Sequence, residues 1–83
     1  MAELTVSVDG NGLPYIECPG ETTDDLADHL KSRKIQPSVR RGTVTSGDQQ
    51  IDVIDIPEED IDAARTAVNS FSGHVPDWFL DLD

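Results

Sequence analysis

Leu4-Thr5-Val6-Ser7-Val8 alternates apolar and polar positions, Asp9-Gly10-Asn11-Gly12 follows with residues that accept positive φ, and Leu13 to Cys18 resumes an extended pattern. The pattern predicts a β-hairpin. Pro19-Gly20 breaks its second strand, and Thr22-Thr23-Asp24-Asp25 reads as a helix start, with Thr22 three residues before Asp25 in capping-box spacing and acids where the helix dipole favours them. The first helix is expected from about Thr23 to Lys34, with Leu26, Ala27 and Leu30 as a narrow apolar stripe, Ile35 just past its end and Pro37 as the stop.

Ser38 to Thr45 and Gln49 to Ile56 are extended around Ser46-Gly47-Asp48, which predicts a second hairpin. In its later strand Ile51 and Val53 lie on one parity, Ile54 and Ile56 on the other. That requires burial on both faces or a bulge near Val53, and marks this strand as the central one. Pro57-Glu58-Glu59-Asp60 opens a second helix, whose face is Ile61, Ala64, Val68 and Phe71, and which is expected to end near Ser72 with Gly73 as its cap. The order is ββαββα, followed by a short tail rich in apolar and acidic residues. The expected fold class is α+β: a two-layer sandwich with two helices on one face of a four-stranded antiparallel or mixed sheet, ferredoxin-like in general shape. Such architectures host unrelated functions, so shape alone transfers no activity.

The 83 residues fit one domain, with a body over 1–74 and a tail over 75–83. Leu, Ile, Val and Phe make up 21 of them, enough to support a core despite a formal net charge of −11. A single cysteine excludes an internal disulfide, and no apolar run approaches the ~20 residues needed to cross a bilayer. A cytoplasmic protein without a membrane role is the expectation.

Charge changes the picture most. Lys31, Arg33, Lys34, Arg40 and Arg41, five of the six cations, fall in eleven residues that hold no acid, while the seventeen carboxylates lie elsewhere. Such segregation can orient a partner over about one Debye length, ~8 Å at physiological ionic strength. Arg40-Arg41 beside Gly42 could offer guanidinium forks to a carboxylate or phosphate, although on an extended strand the two point to opposite faces. Lys31, Arg33 and Lys34 also suit the last turn of a helix without any ligand. The acidic majority could imitate a nucleic-acid backbone, but helix starts and turns account for Asp9, Asp24, Asp25, Asp48, Glu58, Glu59 and Asp60, and high-salt solubility is another source of acidity.

In the tail, Trp78-Phe79 between Leu80, Leu82 and three aspartates has the composition of a groove-docking segment; with only four aromatics in the chain, packing on its own domain is the stronger expectation. Catalytic arrangements are weak. Cys18 precedes a helix start but is surrounded in sequence by Glu17, Glu21, Asp24 and Asp25, which disfavour a thiolate, and His29 reads as a helix residue between Asp25 and Arg33. Asp9-Gly10-Asn11 begins like a calcium loop that Leu13-Pro14 does not continue, and neither zinc spacing nor a phosphate loop occurs. The residues therefore point to a non-catalytic module of regulatory, inhibitory or immunity type that occupies a protein partner, with no catalytic residue, metal, cofactor or direct nucleic-acid contact. Its candidate contact residues are Lys31, Arg33, Lys34, Arg40, Arg41, Trp78 and Phe79. The alternative is an acidic mimic that blocks a DNA- or RNA-binding protein.

Overall fold

A computed structural model describes residues 4–42 and 50–80. Strands β1 (Val6–Val8), β2 (Pro14–Pro19), β3 (Ser38–Arg40) and β4 (Ile51–Asp55) form one antiparallel sheet in the order β1-β2-β4-β3. Helix α1 (Gly20–Ser32) joins β2 to β3; a 3-10 turn (Glu58–Asp60) leads into α2 (Ile61–Asn69), and a short α3 (Asp77–Leu80) follows. The two-layer α+β arrangement is as expected, but the order ββαββα is not the βαββαβ order of ferredoxin-like chains.

The first hairpin closes through Asp9, whose Oδ1 accepts the N–H groups of Asn11 and Leu13 at 2.8 and 2.9 Å, while Gly12 supplies the left-handed residue at φ 81°. Beyond it, β4 lies between β2 and β3, the central place its two-sided apolar pattern predicts. Its pairing with β2 runs without interruption from Tyr15↔Asp55 to Pro19↔Ile51, so no bulge reorients Val53. Ile16 pairs with Ile54 and Cys18 with Asp52 on one face; Tyr15 pairs with Asp55 and Glu17 with Val53 on the other.

Both long helices cover the first face. Leu26 and Leu30 of α1 and Ala64, Ala67 and Val68 of α2 form one buried cluster with Ile16, Cys18, Ile35, Ile54 and Ile56. Each large aliphatic side chain so buried contributes ~1.5–3 kcal/mol from area removed from water. Ile51 and Val53 look out from the opposite face, away from α1 and α2, and are only half-buried.

Three boundaries differ from the sequence expectation. Helix α1 starts at Gly20, three residues early, because Pro19 leads straight into it from β2 and the Gly20 N–H is held by the Gln50 carbonyl at 2.7 Å. The predicted capping box is not made: the Thr22 and Thr23 hydroxyls turn inward, Thr22 donating to the His74 carbonyl at 2.9 Å. At its other end the helix stops by itself, well before Pro37. Ile35 N–H bonds Leu30 O at 3.1 Å and Lys34 N–H bonds Lys31 O at 3.0 Å, a Schellman pattern that puts Lys34 at φ 66° and folds Ile35 back onto Leu30. Helix α2 ends at Asn69, not near Ser72, because the Ser70 and Phe71 N–H groups close the last turn on Thr66, Ala67 and Val68. The predicted turn at Ser46-Gly47-Asp48 lies outside the described residues.

Candidate functional site

The densest polar chemistry lies beneath the first turn of α1, around Asp52. Asp52 shares parity with Ile54, so strand geometry turns its carboxylate toward the helices, where it is 0 % exposed. Four donors meet it there. Oδ1 accepts the Gly42 N–H at 2.7 Å and the Gln50 amide at 2.6 Å; Oδ2 accepts the Thr23 hydroxyl at 2.8 Å and Arg41 Nη1 at 3.0 Å. Burial pushes the Asp52 carboxyl up, but the Gly42, Gln50, Thr23 and Arg41 donors outweigh it and hold the group below its ordinary value. Gly42 has to be glycine here, since any Cβ would overlap the Ile51 carbonyl as the backbone comes in to donate.

Cys18 is the neighbour of Asp52 across the β2–β4 pair, with its Sγ 3.3 Å from Thr23 Oγ1. A threonine hydroxyl has one proton, and the shorter of its two outgoing contacts, 2.8 Å to Asp52 against 3.1 Å to the Pro19 carbonyl, takes it. Thr23 is then free to accept from the thiol. Burial pushes the Cys18 thiol above its ordinary pKa, and the nearby Asp52 charge adds to the rise. A buried protonated thiol aimed at a hydroxyl is a poor nucleophile, so the cluster's chemistry is directed inward. Among the described residues no buried side-chain nitrogen or oxygen lacks a partner.

His29 resolves in a similar way. Its Nε2 lies 2.8 Å from the Ala67 carbonyl, so that nitrogen carries the proton and donates; the Ser70 hydroxyl, 3.3 Å away, also donates to Ala67 and receives Arg33 Nη2 at 2.8 Å. With Nε2 spent as a donor, His29 cannot act as base toward Ser70. Instead, His29 and the Ser70 hydroxyl close the Ala67 carbonyl at the end of α2, and Arg33 holds that hydroxyl.

Neither protein families, nor curated proteins, nor solved structures give a match to this chain. Its residues therefore carry the functional argument alone.

The structure divides the basic island. Arg40 and Arg41 do point to opposite faces. Arg40 sets Nε and Nη2 on Asp55 at 2.6 and 3.0 Å over the open face of the sheet, while Arg41 bridges Asp24 and Asp52 at 3.0 Å each on the helix side. Lys31, Arg33 and Lys34 stay exposed at the end of α1. In the tail, Phe79 is buried at 4 % exposure, and Trp78 is half-buried, edge-on to Phe79 at 6.2 Å, with its Nε1–H on Glu21 at 3.3 Å. Trp78 and Arg41 thus both reach the first turns of α1, at Glu21 and Asp24, while Arg40 lies on the opposite face of the sheet and Lys31, Arg33 and Lys34 at the other end of the helix.

Asp52 escaped the sequence reading, although a signal for it existed: its parity with Ile54 and Ile56 puts a carboxylate in a core register. Thr22 and Thr23 escaped it because the capping-box pattern offered a local explanation for residues whose partners are distant. Among the described residues no three His, Cys, Asp or Glu side chains gather to hold a metal ion, and no helix is long and apolar enough to cross a membrane.

Proposed function

We propose that this chain is a non-catalytic cytoplasmic binding module, regulatory or inhibitory in kind, that works by occupying a protein partner with a basic surface. One observation carries the reading. Two of the five island cations, Arg40 and Arg41, are already held by Asp55, Asp24 and Asp52, so the field the domain presents outward is more uniformly acidic than its sequence implies. The groups able to do chemistry, Cys18, Thr23, Asp52 and His29, are engaged with one another or with backbone. A charged exterior over an inward-directed interior suits steering and docking.

The experiment is a binding titration with a purified partner, identified by affinity capture, at about 50 and about 300 mM salt. Affinity falling by about tenfold or more is expected for opposite charges meeting across an interface. Salt-independent affinity would remove the acidic surface from the mechanism. The pairing of Arg40 and Arg41 also favours the second reading, the nucleic-acid mimic, by removing part of the positive interruption in an acidic surface. Under that reading duplex DNA and this protein displace each other from the partner; simultaneous binding through the partner's DNA-binding face excludes it.

A further inference from the structure

We infer that the hollow at the lip of the sheet's open face, bounded by Asp9, Leu13, Pro14, Arg40, Asp55 and Ile56, seats an arginine side chain projecting from that protein partner. The inference rests on the binding-module reading and adds to it a location and a recognised group.

Three features support it. First, β4 is patterned for burial on both sides, and its half-buried Val53 and Ile51 lie on the face turned away from α1 and α2, next to the half-buried Tyr15 of β2. A strand of this pattern is completed by something packed on its second face. Second, the hollow, about 410 Å³, has the lining a long cationic side chain needs. Leu13, 50 % exposed, offers the apolar contact for the methylene stem over the buried Pro14 and Ile56, and Asp9 and Asp55 lie in the same lining for the head group. With two carboxylates against the one guanidinium of Arg40 the lining carries −2 + 1 = −1, which complements a cation.

Third, the hollow already holds one guanidinium. Arg40 lies on Asp55 through two parallel bonds of 2.6 and 3.0 Å, the fork-on-carboxylate arrangement that selects arginine over lysine. A carboxylate offers about four lone-pair positions, and Arg40 takes the two that face one fork, so Asp55 keeps one lateral position on each oxygen, and an arginine with several N–H donors can reach one of these and Asp9 together. Both turn bonds to Asp9 end on Oδ1, leaving Oδ2 without a partner among the described residues.

The test uses the whole chain, nitrogen-15 labelled, titrated at low salt with a capped pentapeptide that carries one arginine between two valines. Two control peptides replace the arginine by lysine or by citrulline, the latter matching arginine in shape without its charge. Saturable shifts of the Leu13, Asp55 and Ile56 amides are expected with the arginine peptide, at least threefold weaker binding with lysine, and none with citrulline. D55N and L13S, both at partly or well exposed positions, should keep the parental melting curve and weaken the arginine peptide by fivefold or more, whereas D28N at an exposed position of α1, on the other side of the sheet, should not. Equal binding of the citrulline peptide, or shifts centred on Glu21, Asp24, Asp25 and Asp28 of α1, would overturn the inference. If that happens while the purified partner still binds in a salt-dependent way, the hollow is wrong and the binding-module reading stands; loss of the salt dependence as well removes both.

Discussion

Two aspartates three residues apart on β4 receive arginines that are neighbours on the chain, yet the pairs live in different physical worlds. Asp52 with Arg41 lies under α1, its carboxylate fully buried and surrounded by four donors. Asp55 with Arg40 lies on the open face, with side chains 38 % and 65 % exposed. The shorter ion-pair contact belongs to the exposed pair, 2.6 Å against 3.0 Å. Distance is therefore a poor guide to consequence. An exposed pair exchanges hydration for contact at little net gain, whereas a carboxylate removed from water relies on every donor that replaces it.

Deleting each acid in turn separates the two pairs most widely. D52A should cost ~3–5 kcal/mol, because it strips Thr23, Gln50, Gly42 and Arg41 of a shared acceptor inside the fold; D55A should leave the denaturation midpoint within experimental scatter. Chemical denaturation of the two variants checks this, and equal losses would abolish the distinction. In a domain whose whole stability is expected to be ~4–12 kcal/mol, D52A approaches global unfolding.

Acid titration sharpens it next. The folded Asp52 carboxyl lies below its ordinary value of 3.8, so its contribution is fully present above that pH and is lost as the pH falls through the lower folded value. Stability followed from pH 5 downward should drop more steeply in the parent than in D52N, with D55N keeping the parental slope. A parental slope in D52N would mean that the carboxylate's donors do not act as described.

Reactivity gives a third comparison. Cys18, beside Asp52 and raised in pKa by burial, should resist iodoacetamide in the folded protein and react at the rate of an ordinary thiol once unfolded. Mass spectrometry of the alkylated chain reads this directly, and rapid native labelling would show that the cluster opens. The smallest expected effect is that of the arginines: R41Q should lower the melting midpoint measurably and R40Q should not, since only Arg41 reaches the buried acid. Identical midpoints would assign the cluster's strength to Thr23, Gln50 and Gly42 alone.

How far the sequence foretold these two regions follows from the range of the forces in each. Alternation in Leu4–Val8, the two-sided apolar pattern of Ile51–Ile56 and the Leu26/Leu30 spacing are local, and they predicted the strands, the central place of β4 and the buried stripe of α1. The opposed directions of Arg40 and Arg41 were legible too, since they need only the period of a strand. What they would meet was not. Asp24, Asp52 and Asp55 reach them through pairings that depend on strand order, and nothing near Thr23 in sequence announces a partner on β4. The helix ends were misread for the same reason: a cap predicted from neighbours gave way to the Gln50 carbonyl on one end and a backbone-only closure on the other.

The place of β4 between β2 and β3 also governs when the protein can exist. β1 and β2 can pair as soon as their turn forms, but Tyr15 must wait for Asp55, and Pro19 for Ile51, with all of α1 and β3 emerging in between. Until then the inner edge of β2 is an open template, and its row of N–H and C=O groups can pair with any other extended chain. During synthesis the domain therefore has no stable half. Its sheet is completed by the last of its described strands, and until then the excess of carboxylates on the growing chain opposes the approach of another unfinished copy.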